Sequence, residues 1–276
     1  KNLKKQPVPG TIGIGHTRWA THGPATDENA HPHVGGPGLL ALVHNGVIEN
    51  FRDLKEKLQA DGVVFKSSTD TEVVAHLLAS CLEQQILASG PLDPKQGARD
   101  HSLLIAAMND TLCQLQGTFG LAVLFHGYPD VILAARRGSP LVVGVGDNEH
   151  FIASDASPLA GYTSKIVYLS DPELAVVTAD GLHVEHRDGA RIAHQVEELA
   201  FTAEEVSKGD YPHYMLKEIF EQPESLENTL RGRLDLEEAT AHFGGLNLTP
   251  QKLRSINRVV LTACGTSWHA GVVGEY

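Results

Sequence analysis

The sequence has few cysteines and no long hydrophobic run. Its three cysteines, at positions 81, 113 and 264 of 276 residues, fit neither a disulfide framework nor a CxxC zinc site. We therefore expect a cytoplasmic protein, because a reducing compartment suits such cysteine usage. The longest apolar runs, such as Leu39–Val43 and Phe119–Phe125, are far shorter than the ~20 residues that a membrane helix needs. No hydrophobic signal segment follows the charges near Lys1, so we expect no membrane partner and no export signal.

Basic residues are also scarce. The chain has 22 Lys and Arg against 34 Asp and Glu, a formal net charge of −12, and no basic stripe, which argues against a nucleic-acid partner. An apolar content of 42% with 20% charged residues is typical of a globular protein. The chain starts at Lys1 without Met and stops at Tyr276 inside a predicted helix. We expect it to be an internal piece of a longer protein.

Helical and strand-like patterns occupy different parts of the chain. Apolar periodicity predicts helices over 51–60, 71–83 and 102–115. Two short β-type runs flank Asn45-Gly46, a dipeptide that favours a tight hairpin turn. Seven more apolar runs follow Gly117, at 119–125, 131–135, 141–145, 150–153, 166–169, 173–178 and 182–185. Their connectors are too short for crossover helices, so we expect an α+β fold with helices packed on antiparallel sheet, and no nicotinamide cofactor.

The last third of the chain starts a different pattern. It is polar after residue 188 and then predicts helices over 212–230 and 236–243. The apolar segment Ser255–Ala263 predicts a buried strand that runs into Cys264-Gly265-Thr266-Ser267 and another helix. Small hydroxyl residues and backbone amides at a helix N-terminus suit a phosphate. A simple strand-to-helix turn fits the same spacing.

The densest chemical cluster contains four histidines within eighteen positions. A metal site is one interpretation, and a metallohydrolase built on these histidines is one alternative function. Their spacing matches no zinc signature, so we expect structural hydrogen bonds and no bound metal. The four are His16, His22, His31 and His33.

Three other polar groups have both a structural and a chemical interpretation. Arg18, beside Trp19, could grip a carboxylate bidentately or simply stack on the aromatic ring. Asn45 and Gly46 could form a turn, or could direct a side-chain amide and a backbone N–H at one oxyanion. Asp70 could cap a helix or bind a substrate ammonium.

Taken together, the motifs of this chain resemble the class II glutamine amidotransferases. Within that family they are similar to the branch that makes glucosamine 6-phosphate and glutamate from fructose 6-phosphate and glutamine. The matching segments are His16–Gly23 (HTRWATHG), Asn29–Val34 (NAHPHV), Val43–Asn50 (VHNGVIEN), Ser68–His76 (STDTEVVAH), Arg137–Val142 (RGSPLV), Ala153–Asp155 (ASD), His213–Pro223 (HYMLKEIFEQP) and Ala263–Ser267 (ACGTS).

The resemblance implies a fold and a division into domains. Residues 1–187 would be a partial glutaminase domain, an N-terminal-nucleophile hydrolase sandwich of αββα type that lacks its N-terminal strand. Residues 188–212 would connect it to 213–276, the start of an α/β sugar isomerase (SIS) domain. The family uses no metal and no organic cofactor. Glutamine and fructose 6-phosphate would be the substrates, and the full-length enzyme would be a homo-oligomer.

The resemblance also implies roles for single residues. Arg18 would bind the α-carboxylate of glutamine and Asp70 its α-amino group, while Asn45 and Gly46 would form the oxyanion hole. We therefore predict that Arg18, Asp70 and Asn45 face one pocket. The remaining residues of that pocket would be Trp19, Thr21 and His22, with Trp19 as the gate to an ammonia channel. The start of the sugar-phosphate site would be Cys264, Gly265, Thr266 and Ser267.

One element of the family pattern is missing from the sequence. The family's nucleophile is a cysteine at the mature N-terminus, and it precedes the segment that matches His16–Gly23. Cys81, Cys113 and Cys264 lie in predicted helices or in the sugar motif, so none of them replaces it. We expect the isolated chain to be inactive as a glutaminase and marginally soluble. A non-catalytic module that binds glutamine or a sugar phosphate is the alternative function.

Overall fold

The chain divides into two compact units, Lys1–Ser207 and Lys208–Tyr276. A computed structural model describes residues 10–18, 23–89, 101–171, 173–186, 191–199, 202, 206–230, 234–235, 240–241 and 249–275. Three predicted site residues, Trp19, Thr21 and His22, lie outside the described residues. Within the described part of the chain, no helix is long and apolar enough to cross a membrane.

The first unit contains three helices and eleven strands among its described residues. The helices are α1 (Phe51–Ala60), α2 (Asp70–Ser89) and α3 (Ser102–Gln114), with a short 3-10 helix at Ser157–Leu159. The strands are β1 (His33–Gly35), β2 (Leu40–Ile48), β3 (Gly117–Phe125), β4 (Tyr128–Arg137), β5 (Val142–Val145), β6 (His150–Ala153), β7 (Lys165–Tyr168), β8 (Glu173–Thr178), β9 (Leu182–His186), β10 (Arg191–Ile192) and β11 (Glu197–Glu198).

These strands form two antiparallel sheets. One has seven strands in the order β1-β2-β3-β4-β8-β9-β10, and the other has four in the order β11-β7-β5-β6. Each strand pair within them is antiparallel. The predicted antiparallel pairing is confirmed, as are the three predicted helices, although α2 extends to Ser89. Thr69 Oγ1 accepts the Glu72 N–H at 3.2 Å, a bond typical of a helix N-cap.

Three clusters of buried apolar side chains stabilise this unit. The largest core lies between the helices and one face of the seven-stranded sheet, where Leu78 and Leu121 are fully buried. A second core joins the two sheets through residues such as Val143 and Val177. Behind the four-stranded sheet, the 3-10 helix contributes Leu159 to a small third cluster. The described residues thus give an α-β-β arrangement, with only this short helix on the outer face.

The hairpin predicted at Asn45-Gly46 is wrong. Both residues lie inside β2, which pairs without interruption from Leu40 to Ile48 with β3. Gly46 takes a φ of +132° within the strand, a conformation that side chains other than glycine rarely adopt. Continuous pairing with a long partner strand outweighs the local turn preference of the dipeptide.

The second unit contains α4 (Tyr214–Leu230), α5 (Pro250–Arg254) and α6 (Gly265–Glu275), with two short strands, β12 (Leu234–Asp235) and β13 (Thr240–Ala241). The helix predicted over 212–230 is confirmed. The helix predicted over 236–243 is wrong at Thr240–Ala241, which pair with β12; positions 236–239 and 242–243 lie outside the described residues.

The buried strand predicted over Ser255–Ala263 is also absent. These residues form no strand, and Val259, Val260 and Leu261 are 74%, 65% and 60% exposed. A buried parallel strand needs neighbouring strands and helices on both faces. Nothing within the described part of the chain supplies them, so the apolar pattern alone does not make a strand.

Candidate active site

A cleft of about 270 Å³ lies beside the middle of β2. It brings together five separate segments of the sequence, and it places Asn45 beside His16. The lining residues are Gly15, His16, Thr17, Val43, His44, Asn45, Gly120, Ala122, Leu141, Ile152, Ala153 and Ser154. Among the predicted site residues that the structure describes, Asn45 lines this cleft directly.

The side chain of Asn45 is held by His16. His16 Nε2 lies 2.6 Å from Asn45 Oδ1, and His16 Nδ1 accepts the backbone N–H of Arg18 at 2.9 Å. The imidazole of His31 stacks on that of His16 with ring centroids 4.3 Å apart and planes inclined by 23°. Sequence analysis missed this role for His16, although the residue lies in the same motif as Arg18.

The direction of the Gly46 N–H follows from the pairing of β2 with β3. Glu49 N–H donates to the Gln116 carbonyl and His126 N–H donates to the Leu39 carbonyl, both at 2.9 Å. Hydrogen-bonded pairs alternate along an antiparallel ladder, so the odd-numbered residues of β2 bond to β3. The even-numbered amides, including that of Gly46, therefore face the opposite edge of the strand.

The described residues cover that opposite edge only in part. β1 pairs with Leu40–Leu42 alone. Further along, His44 N–H donates to His31 Nδ1 at 3.4 Å and Ile48 N–H donates to Asp70 Oδ2 at 2.9 Å. Between them, the Gly46 N–H has no acceptor among the described residues. A Cβ at Gly46 would collide with the Thr118 carbonyl oxygen, so glycine is required here for steric reasons as well as for its φ.

Asp70 and Arg18 lie near this region but do not line the cleft. Asp70 starts α2, is 3% exposed, and its Oδ2 lies 4.0 Å from His44 Nδ1. Arg18 has a left-handed backbone with a φ of +41°. Its guanidinium donates to the carbonyls of Pro24 at 2.9 Å and Gly23 at 3.2 Å.

Two histidines near the cleft, His31 and His33, have lowered pKa values. The pKa of His31 is lowered to about 3, mainly by burial and also by the neighbouring His16, His33, His44 and Arg18. The pKa of His33 is also lowered, mainly by burial. The Glu72 and Asp70 carboxylates partly offset this shift, while Arg18 adds to it.

A polar network anchors the neighbouring loops to the start of α2. The buried Asn29 accepts the Ser68 N–H at 3.0 Å and donates to the Pro24 carbonyl at 2.9 Å. Glu72 accepts the backbone N–H groups of Lys66 and Ser67. These bonds lower the pKa of Glu72, although burial acts to raise it. The network fixes the loop whose carbonyls Arg18 binds.

The histidine cluster shows no arrangement of metal ligands in the described residues. No group of three or more His, Cys, Asp or Glu side chains there is placed to hold a metal ion. His16 and His31 stack face to face. His22 lies outside the described residues.

The predicted phosphate segment lies in the second unit. Cys264 and Thr266 are exposed, and α6 begins at Gly265. A cavity of about 810 Å³ lies between the segment 258–263 and α6, and Ser267 and Trp268 contribute to its wall. The first-turn amides of α6 therefore lie next to an open cavity.

Residues 5–88 match the family of the glutamine amidotransferase domain. The chain belongs to the glutamine amidotransferase family. Among curated relatives, it is 46% identical over 266 residues to the glutamine–fructose-6-phosphate aminotransferase (isomerizing) of Chlorobaculum tepidum, covering 96% of this chain and 41% of that protein. The proteins of the same name from Bacteroides thetaiotaomicron and Methanosarcina mazei are each 42% identical, over 99% and 100% of this chain and 42% and 43% of their own lengths.

This amidotransferase chain therefore spans about two fifths of the length of the curated relatives that it matches. Among solved structures, the glutamine phosphoribosylpyrophosphate amidotransferase from B. subtilis, complexed with ADP and GMP, is 26% identical. That likeness has a TM-score of 0.45 and covers 62% of this chain and 34% of that one. The motif with His16 and Arg18, β2 and the start of α2 all fall within the matched amidotransferase residues.

Proposed function

We propose that this chain carries the glutamine-hydrolysing site, and the beginning of the sugar-binding part, of an enzyme that makes glucosamine 6-phosphate and glutamate from fructose 6-phosphate and glutamine. The relatives named above support the overall reaction. The cleft at β2 supports the glutaminase step. Residues 1–187 would form the glutaminase part, 188–212 the connection and 213–276 the start of the sugar isomerase part.

The pair of donors at Asn45 and Gly46 is the observation that carries the proposal. Asn45 lines the cleft, and the N–H of the next residue faces the edge of the same strand that is turned away from β3. Attack on the carboxamide carbon of glutamine creates a tetrahedral intermediate with a negatively charged oxygen. Two preorganised donors stabilise that oxygen more than the uncharged amide of the substrate, which is how an oxyanion hole accelerates acyl transfer.

Arg18 and Asp70 would bind the α-carboxylate and the α-amino group of glutamine. The guanidinium now donates to the neutral carbonyls of Gly23 and Pro24. A carboxylate is a stronger, charge-assisted acceptor in a bidentate geometry. The Arg18 N–H bonds to His16, the partner of Asn45, and Asp70 accepts the Ile48 N–H, which supports a common pocket beside β2. Trp19, Thr21 and His22 would complete its walls.

The proposal assigns the nucleophile to the full-length protein rather than to residues 1–276. No cysteine lines the described cleft. Cys81 is buried in α2, and burial raises the pKa of its thiol, which opposes thiolate formation. In the proposed reaction a cysteine thiolate attacks the amide carbon and ammonia leaves. Water then hydrolyses the thioester to glutamate.

The second unit would contribute to binding of the sugar phosphate. Cys264, Gly265, Thr266 and Ser267 stand at the N-terminus of α6, where backbone amides and the helix dipole favour an anion. The adjoining cavity gives space for the rest of the sugar. Ammonia released at β2 would aminate the bound ketose phosphate.

The test is glutamate release by the full-length protein and its Asn45→Ala variant. We expect Asn45→Ala to lower kcat by about 10²–10³, the usual cost of one oxyanion donor. Asn148→Gly is a matched control, because Asn148 is exposed in a turn and has a φ of +57° that glycine adopts freely. An unchanged kcat in Asn45→Ala would contradict the proposed oxyanion hole. Glutamine binding without any glutamate release would instead favour the non-catalytic module.

A further inference from the structure

The contacts of His16 determine which of its ring nitrogens carries the proton. A backbone N–H can only donate, so the bond from Arg18 N to His16 Nδ1 at 2.9 Å makes Nδ1 an acceptor. A neutral imidazole with an unprotonated Nδ1 has its hydrogen on Nε2. His16 Nε2 is therefore a donor toward Asn45.

This donor fixes the orientation of the Asn45 carboxamide. The Asn45 atom 2.6 Å from His16 Nε2 must be the acceptor oxygen, because the amide nitrogen can only donate. The amide nitrogen then lies on the other side of the carboxamide, and no acceptor for it occurs among the described residues. Its hydrogens are left to bond a group in the cleft.

The imidazole of His16 is itself held by the elements around it. His31 stacks on it at 4.3 Å, and His31 Nδ1 accepts the N–H of His44. The two stacked rings are therefore bonded to adjacent residues of β2, His44 and Asn45. The left-handed backbone of Arg18, rare outside glycine, accompanies the bond that fixes the Nδ1 side of the ring.

From these contacts we propose that His16 is a positioning residue that sets the orientation of the Asn45 carboxamide, so that its nitrogen rather than its oxygen faces the oxyanion. The inference rests on the proposed glutaminase function. The two orientations of a carboxamide have nearly the same shape, so packing hardly distinguishes them. If the amide turned over, its oxygen would repel the developing negative charge instead of stabilising it.

The first experiment reads the tautomer of His16 directly. Nitrogen NMR of the full-length protein labelled with 15N-histidine, at a pH where imidazoles are neutral, should show His16 protonated at Nε2 and unprotonated at Nδ1. The signal is assigned by its disappearance in His16→Gln. Protonation at Nδ1 would overturn the proposed role of His16, whether or not the protein hydrolyses glutamine.

The second experiment measures glutamate release by variants of the same protein. We expect His16→Ala to lower kcat at least about tenfold with little change in KM, because the interaction it perturbs is made in the transition state. His16→Gln should recover most of the rate, since its oxygen can accept the Arg18 N–H and its nitrogen can donate to Asn45. His183→Gln is the control, because His183 is an exposed residue of β9.

A double-mutant cycle separates positioning from direct action on the substrate. If His16 works only through Asn45, the His16→Ala change should have no further effect in an Asn45→Ala background. The proposal would be overturned if the losses in kcat of the two single variants multiplied in the double variant. A folded His16→Gln variant as slow as His16→Ala would also overturn it. A wild-type protein that releases no glutamate would overturn the proposed function. The tautomer measurement would still show whether His16 Nε2 donates to Asn45.

Discussion

The two units of the chain bury their apolar side chains to very different extents. Every buried residue among the described ones lies at or before Val184, in the first unit. In the second unit, α4 has no buried residue, and Met215, Phe220 and Leu226 on it are all more than half exposed. Both units contain apolar runs, but among the described residues only those of the first unit are buried against other elements.

This difference shows what an apolar pattern can and cannot specify. The run Phe119–Phe125 becomes β3 because β2 and β4 pair with it on both sides and α2 and α3 cover one face. The run Val259–Leu261 is just as apolar, yet it forms no strand and stays exposed. Burial requires an adjacent surface, which the pattern itself does not provide.

Truncating one leucine in each unit gives the largest expected contrast. Leu121→Ala removes a fully buried side chain of β3 and should lower the free energy of unfolding by about 2–5 kcal/mol. Leu261→Ala is the matched control, because that side chain is 60% exposed; its effect should stay within about 0.5 kcal/mol. Urea unfolding followed by circular dichroism measures both. A loss at Leu261 as large as that at Leu121 would show that the second unit has a core of its own.

Gly46→Ala tests the backbone of β2. The new Cβ would meet the Thr118 carbonyl and would have to adopt a φ of +132°. We expect a loss of about 2–3 kcal/mol in unfolding free energy and a loss of glutamate release in the full-length protein. Gly181→Ala is the control, since a Cβ there meets open space. Equal stability of the two variants would mean that the position does not require glycine.

Asp70→Ala tests the bond between α2 and β2. It leaves the N–H of Ile48 unpaired in a buried site, at a cost of about 1–3 kcal/mol in unfolding free energy. Asp70→Asn keeps an oxygen acceptor and should cost less. Asp130→Ala, at an exposed position of β4, is the control. If Asp70→Asn keeps its stability but loses affinity for glutamine, the carboxylate charge serves the substrate as well as the fold.

The pH dependence of stability should contain a contribution from His31. Its pKa in the folded protein is about 3, against an ordinary value of 6.5, so between these values the unfolded chain binds more protons. The contribution is complete above pH 6.5 and is lost as the pH falls from 6.5 toward 3, with a slope of at most about 1.4 kcal/mol per pH unit. His31→Asn keeps an acceptor for the His44 N–H. It should reduce the change of the urea unfolding midpoint between pH 6.5 and 4.5. An unchanged slope would show that His31 does not stay neutral in the folded state.

The parts of the fold that sequence could predict are those with local causes. The close spacing of the apolar runs after Gly117 leaves no space for crossover helices, and that limit gives antiparallel pairing directly. Helix α2 begins at Asp70, next to the predicted start at residue 71. At Asn45 and Gly46 the chemical interpretation did not depend on a turn. It therefore survives the finding that both residues lie inside β2.

The parts that sequence could not predict depend on distant partners. His16 reaches Asn45 across 29 positions, and Asp70 reaches Ile48 across 22. No periodicity encodes such bonds, because each partner also has an ordinary local interpretation. Arg18 and Asp70 were predicted to face one pocket with Asn45. In the structure neither Arg18 nor Asp70 lines the cleft at Asn45, and their common role toward glutamine stays a prediction.

The edge of β2 that the described residues cover only in part has a consequence for association between molecules. A strand with several unpaired N–H groups in a row is a template on which another chain can add a strand. Beyond Leu42, where β1 ends, His31 and Asp70 each occupy one of these groups and leave a gap one amide wide. Removing both side chains at once would open a run of three amides at residues 44, 46 and 48. The result would be a sheet that can extend from one molecule into the next, with the strand edge beside Asn45 as the point of growth.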